Sequence, residues 1–204
     1  AVNEAEDFYT WMLTTEKING GMSERAFVAC DTLKRMWRQA HPGISSHWRE
    51  LEDACREAIE HPSVTITCRK VKIRRDGAWL RIGLPSGRAI CYPAPQLDEK
   101  SVITHMGINQ FSRKWCRLTT YGGKIFENIC QAVARDVMSN NMGPIEDAGY
   151  AIVLTVHDEL ITETPDTDAY SSDELSRRLG AQPAWALDMP LAAAGFETYA
   201  YRKD

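Results

Sequence analysis

Two tight-turn signals close together constrain this chain most: Asp76-Gly77 and Pro85-Ser86-Gly87-Arg88, set in a β-branched run between Val64 and Tyr92. Asp-Gly supplies the positive φ of a two-residue hairpin loop, and Pro followed by Ser-Gly presets a second turn. Strands joined by loops this short pair antiparallel. The run therefore predicts a small antiparallel sheet over 64–92.

Helical patterning lies on either side of it. After Ser23, Phe27, Cys30, Leu33, Met36, Trp37 and Ala40 recur on one face of a predicted helix. His41-Pro42-Gly43 interrupts, because proline lacks a backbone donor and restricts the residue before it. Ile44, Trp48, Leu51, Cys55 and Ala58-Ile59 then begin a second stripe. A third helix is predicted over 123–142, and Ala151–Val156 with Leu160–Thr164 read as two strands around His157-Asp158-Glu159. Ser172–Leu179 reads as a short amphipathic helix and the tail as extended. Residues 93–115, broken by Pro93, Pro95 and Gly107, read as an irregular excursion. Residues 1–23, ending in Asn19-Gly20-Gly21, read as a link. The fold class is α+β.

With 44% hydrophobic and 25% charged residues over 204, the chain can bury a core. No apolar run approaches the ~20 residues of a membrane span, and no signal pattern opens the sequence. These features point away from secretion and membrane insertion. The six cysteines show neither disulfide-framework nor zinc spacing, which suits a reducing compartment. The net charge of -4 argues against a general nucleic-acid binder, but it hides an asymmetry. Val64–Tyr92 holds seven Lys/Arg against one Asp, and His157–Asp188 holds eight Asp/Glu against two Arg. The first could meet a polyanion and the second gather cations, although solvated surface explains both equally simply.

Two constellations carry possible chemistry. In His157-Asp158-Glu159, adjacent carboxylates at a hairpin tip repel, and a divalent cation relieves such repulsion. Mg²⁺, which takes a few carboxylates plus water and phosphate oxygens, fits that need; a polar turn without chemistry is the plainer alternative. On the predicted helix from Gly123, Lys124, Asn128, Gln131 and Arg135 share a polar stripe with Glu127. Such side chains suit phosphates, sugars and base edges, or simply water.

Together these blocks resemble the C-terminal part of family A (DNA polymerase I-like) DNA polymerases, the bacteriophage branch above all. Val156-His157-Asp158-Glu159-Leu160 resembles the family's C motif, a palm hairpin. The segment 121–136, opening Tyr121-Gly122-Gly123-Lys124, resembles the helix that lies along the primer-template duplex. Leu84-Pro85-Ser86-Gly87-Arg88 through Tyr92-Pro93 is similar to the hairpin before it. The Trp37–Trp48 region resembles helices at the rear of the fingers. The similarity runs from about Glu24 to Lys203.

The resemblance implies fingers-type helices over 24–60 and a palm portion over 61–204. It implies that Asp158 and Glu159 are catalytic carboxylates binding Mg²⁺ in a two-metal site. His157 would touch the primer terminus, Gln131 the minor groove, and Lys124, Asn128 and Arg135 the DNA. Primer-template DNA and deoxynucleoside triphosphates would be the partners, together with the rest of a polymerase. The A-motif strand, the nucleotide-binding fingers helix, the thumb and the exonuclease are not matched here. The isolated chain is then expected to be inactive, to leave a sheet edge open to self-association, and to work in the cytoplasm of a bacterial cell or phage-infected host. A non-catalytic DNA-binding or assembly module is the alternative, and a free-standing Mg²⁺-dependent phosphohydrolase using Asp158, Glu159 and His157 a third.

Overall fold

The computed structural model describes residues 24–200, so the link at 1–23 lies outside the described residues. The described residues fall into two compact units divided between Arg49 and Glu50.

In the first unit, helix α1 (Glu24–Ala40) ends where the sequence predicts. Helix α2 (Pro42–Glu60) starts after a single-residue break at His41. Pro42 opens that helix rather than interrupting it, because a first-turn residue has no intrahelical use for its N–H. Trp37 stacks on His41 and on Trp48, with ring centroids 4.5 and 5.6 Å apart. The apolar stripe of α1 is open: Leu33, Met36 and Trp37 are exposed.

The second unit begins inside α2, where Leu51, Ala54, Cys55, Ala58 and Ile59 are buried at helical spacing. They join the core with a four-stranded antiparallel sheet: β1 (Thr65–Cys68), β2 (Val71–Asp76), β3 (Trp79–Gly83) and β4 (Ala89–Pro93). Both predicted turns are present, with Asp76 paired to Trp79 and Gly83 to Ala89 across their strands. Alternation sorts the faces. Val71, Ile73, Leu80 and Ile82 point inward, and Lys72, Arg74 and Arg81 outward.

Residues 93–115 are not irregular. They form most of a second sheet, β5 (Gln96–Leu97), β6 (Ile103–Ile108) and β7 (Trp115–Thr120). Pro93 closes β4 and Pro95 precedes β5, while Gly107 lies inside β6, where an added Cβ would stand 2.9 Å from Leu118 Cδ1. Gly107 therefore marks a close approach, not a break.

Helix α3 (Gly122–Asp147) is longer than predicted, passing through Gly143 and Pro144 to the fully buried Ile145. Burial of that end outweighs the backbone bond that Pro144 forgoes. Beyond it, β8 (Ala151–Val156) and β9 (Glu159–Glu163) form a two-stranded hairpin, followed by α4 (Ser172–Leu179). Ser171 caps α4 by accepting from Glu174 N–H at 3.2 Å. The architecture is mixed α+β with antiparallel sheets, in agreement with the fold class read from the sequence. No helix among the described residues is long and apolar enough to cross a membrane.

Candidate active site

The long helix α3 is the rigid base of the site, and contacts near both ends hold it. Tyr121 stands at its N-cap without a side-chain bond. Instead Glu52, on α2, accepts the Gly122 N–H at 2.9 Å, which also places a carboxylate at the positive end of the helix dipole. Near the other end, the buried Asn141 donates to Leu179 O and Ala181 O, both at 2.8 Å.

A clamp joins the middle of α3 to the β3–β4 hairpin. Asp136 falls on the same helical face as the buried Ile125 and Ile129, and its side chain is 4% exposed. A buried carboxylate needs partners, and it has two: the Arg88 guanidinium and the Ser86 hydroxyl both donate to it. One step along, Asn128 Nδ2 donates to the Tyr92 hydroxyl at 2.7 Å. Burial pushes the Tyr92 phenol up, and the Asn128 bond offsets part of that rise. Sequence reading assigned no role to Asp136. The available signal was an acid at a core-facing helical position with an Arg in a neighbouring turn.

On the polar stripe, Lys124 pairs with Glu127 at 2.9 Å, and Gln131 Nε2 donates to Glu127 at 3.3 Å. Glu127 thus ties two of the proposed DNA-binding residues together. Gln131 and Arg135 are exposed, whereas Asn128 is half-buried with its amide engaged by Tyr92.

Gly149 connects α3 to the hairpin in a left-handed conformation, φ 92°, where a Cβ would meet the Tyr170 hydroxyl at 2.6 Å. Both constraints select glycine. Tyr150 packs edge-on to Tyr170, with centroids 5.2 Å apart. The hairpin turn is shorter than predicted. Glu159 belongs to β9, paired with Val156, so the loop is His157-Asp158 alone. His157 adopts φ 55°, a left-handed conformation that a non-glycine residue holds at a cost of roughly 1–2 kcal/mol. His157, Asp158 and Glu159 are exposed. Among the described residues, no group of three or more His, Cys, Asp or Glu gathers as a metal cage. Asp158 and Glu159 thus offer two hard oxygen donors suited to a divalent cation, without the further ligands that a two-metal centre requires.

Over 177 residues, 84% of its length, the chain is 36% identical to a DNA polymerase of Bacillus phage SP02. The similarity is to a phage polymerase. The matched stretch is 27% of that relative, so the chain spans about a quarter of its length. No protein-family model matches the chain, and no solved structure does. Thus one part of a polymerase-like sequence carries a clamped long helix and an exposed His-Asp-Glu hairpin.

Proposed function

We propose that this chain is the C-terminal palm and rear-fingers part of a DNA-directed DNA polymerase of family A, contributing one side of its nucleotidyl-transfer site. The observation that carries this reading is the 36% identity to a phage DNA polymerase over most of the chain. The geometry supports it in two ways. His157 stands exposed in the two-residue turn at the tip, directly beside both carboxylates. The carboxylates beside it, Asp158 and Glu159, are adjacent and both exposed, so a cation from solvent can reach their oxygens.

In this reading Asp158 and Glu159 hold Mg²⁺ jointly with a carboxylate from the remainder of the polymerase. When bound, the cation lowers the cost of charge developing at the reacting phosphate. His157 positions the primer terminus. Gln131, oriented by Glu127, reaches minor-groove acceptors that occupy similar places in every correct pair. Lys124, Asn128 and Arg135 face the DNA backbone, and the Asp136 clamp keeps their helix in register with the β3–β4 hairpin. The substrates are primer-template DNA and deoxynucleoside triphosphates, and the site is the cytoplasm of an infected bacterium. In this reading the fingers-type helices cover 24–60 and the palm portion follows from 61, so the unit 24–49 lies within the fingers part and the unit 50–200 holds its last residues and the palm portion.

The test is complementation. The 204-residue chain is combined with a polypeptide covering the rest of an SP02-type polymerase, and primer extension is measured. Template-directed extension that disappears with Asp158→Ala supports the proposal. Extension indifferent to Asp158→Ala overturns it, and leaves a non-catalytic DNA-binding or assembly module as the better reading.

A further inference from the structure

The β6–β7 hairpin carries chemistry that the polymerase reading leaves unused. From Ile103 to Thr120 it holds three Lys/Arg, namely Arg113, Lys114 and Arg117, and no Asp or Glu. Phe111 at its tip is 97% exposed, and the cross-strand pair Ile108–Trp115 beneath it is exposed too, Trp115 by 60%. Leaving such rings in water is unfavourable.

This tip is not slack. Asn109 Oδ1 accepts the backbone N–H groups of Phe111 at 3.0 Å and Ser112 at 2.9 Å. The Asn109 N–H donates to Lys114 O at 2.9 Å, and the Arg113 N–H to Asn109 O at 2.8 Å. The loop therefore holds Phe111 outward. Arg117 is anchored alongside, donating to Ala94 O at 3.1 Å and Thr104 Oγ1 at 3.0 Å. The Arg113 and Lys114 side chains make no ion pair with a described residue.

Exposed rings interleaved with unneutralised cations complement one ligand class closely. An unpaired nucleic-acid strand offers base faces for stacking and phosphates for charge. Duplex offers phosphates but keeps its base faces covered, and protein interfaces, though they take Phe, Trp and Arg, are depleted in the lysine found here. We propose that the β6–β7 tip is a contact for single-stranded nucleic acid, with Phe111 and Trp115 stacking on unpaired bases and Arg113 and Lys114 meeting the flanking phosphates. The contact is separate from the hairpin of Asp158 and does not require that site to be catalytic.

The test measures binding of the 204-residue chain to a fluorescein-labelled oligo(dT) strand by anisotropy, across a salt series. Phe111→Ala should weaken binding about tenfold, within the range for one lost base stack. It should leave the salt dependence unchanged, and Phe111→Trp should bind at least as well as the parent. Arg113→Ala with Lys114→Ala should instead flatten the salt slope by about 1.4, at ~0.7 for each single-strand phosphate contact. Full-strength binding by Phe111→Ala overturns the proposal, as does preference for duplex. So does Phe111-dependent dimerisation without oligonucleotide binding, which would make the tip a contact between copies. No catalysis is read in this assay, so failure of the polymerase proposal would leave its outcome standing.

Discussion

The β1–β4 sheet and the β8–β9 hairpin use the same antiparallel pairing and reach opposite ends. In the sheet, Val71, Ile73, Leu80 and Ile82 close over α2 and α3 in one buried cluster. In the hairpin, Val153 and Leu154 remain 51% and 49% exposed, and no third strand joins it among the described residues. A register shift between Ile152 and Leu154 bends the exposed stretch further. The first region finishes its own core. The second is a two-stranded hairpin with both edges open among the described residues, and it carries Asp158. An open edge and apolar surface beside acidic side chains are what a site completed by another segment would show, and they are a liability for a free chain.

The largest expected effect falls on the unfinished region. In a polymerase reconstituted around this chain, Asp158→Ala should cut incorporation about a thousandfold, since losing a ligand of a catalytic cation costs several kcal/mol of barrier. DNA affinity, measured in parallel, should hold nearly constant because the phosphate-contacting side chains remain. A rate within a few-fold of the parent would sink the role of Asp158.

The finished region should respond in stability instead. Ile82→Ala, at a position with 0% exposure, should lower unfolding free energy in urea by about 3 kcal/mol through lost burial and the cavity left behind. Val153→Thr should cost far less and should reduce self-association at high concentration. Equal losses at the two positions would erase the distinction between the regions.

Asp136→Asn probes the clamp between α3 and the β3–β4 hairpin. It removes the charge that Arg88 and Ser86 address and should cost about 2 kcal/mol, the range for a buried charge-assisted bond. Gln131→Ala should act on rate alone, slowing extension by the equivalent of about 0.5–1.5 kcal/mol, and more beyond a mismatched primer end. Unchanged extension on both ends would remove Gln131 from the site.

The smallest effect is on pH dependence. Burial pushes the Cys55 thiol up from 9.0 to about 12. The folded state then holds a proton that the unfolded chain releases, so this contribution is intact below pH 9.0 and fades as the pH rises towards about 12. Cys55 should resist alkylation at neutral pH while the exposed Cys30 and Cys91 react. Labelling of Cys55 at the rate of those two would show that the core opens.

Much of the fold was legible because local chemistry decides it. Asp76-Gly77 and Ser86-Gly87 fixed two hairpin turns, and the 51, 55, 58, 59 spacing marked the buried face of α2, to which the structure adds Ala54. The second sheet was missed because Pro93, Pro95 and Gly107 read as breakers. Only the tertiary approach of Leu118 shows why Gly107 belongs inside a strand. The end of α3 was missed because the apolar repeat was followed only to Met142, whereas the burial of Ile145 carries the helix on through Pro144. Of the candidate site, the His157-Asp158-Glu159 tip and the polar stripe were visible in the sequence. The left-handed turn at His157 was not, since His-Asp-Glu holds no glycine to signal it, and the Asp136 clamp was not, since Ser86 and Arg88 are distant along the chain.

Primer extension by the purified 204-residue chain alone, with Mg²⁺ or Mn²⁺ and all four nucleotides, tests the central claim most directly. Asp158 and Glu159 are neighbours on one hairpin and cannot hold two cations from both sides, about 3.5–4 Å apart, as in-line displacement requires. The account predicts no template-directed extension until a polypeptide supplying the remaining ligands is added. Extension by the chain alone, abolished by Asp158→Ala, would contradict it.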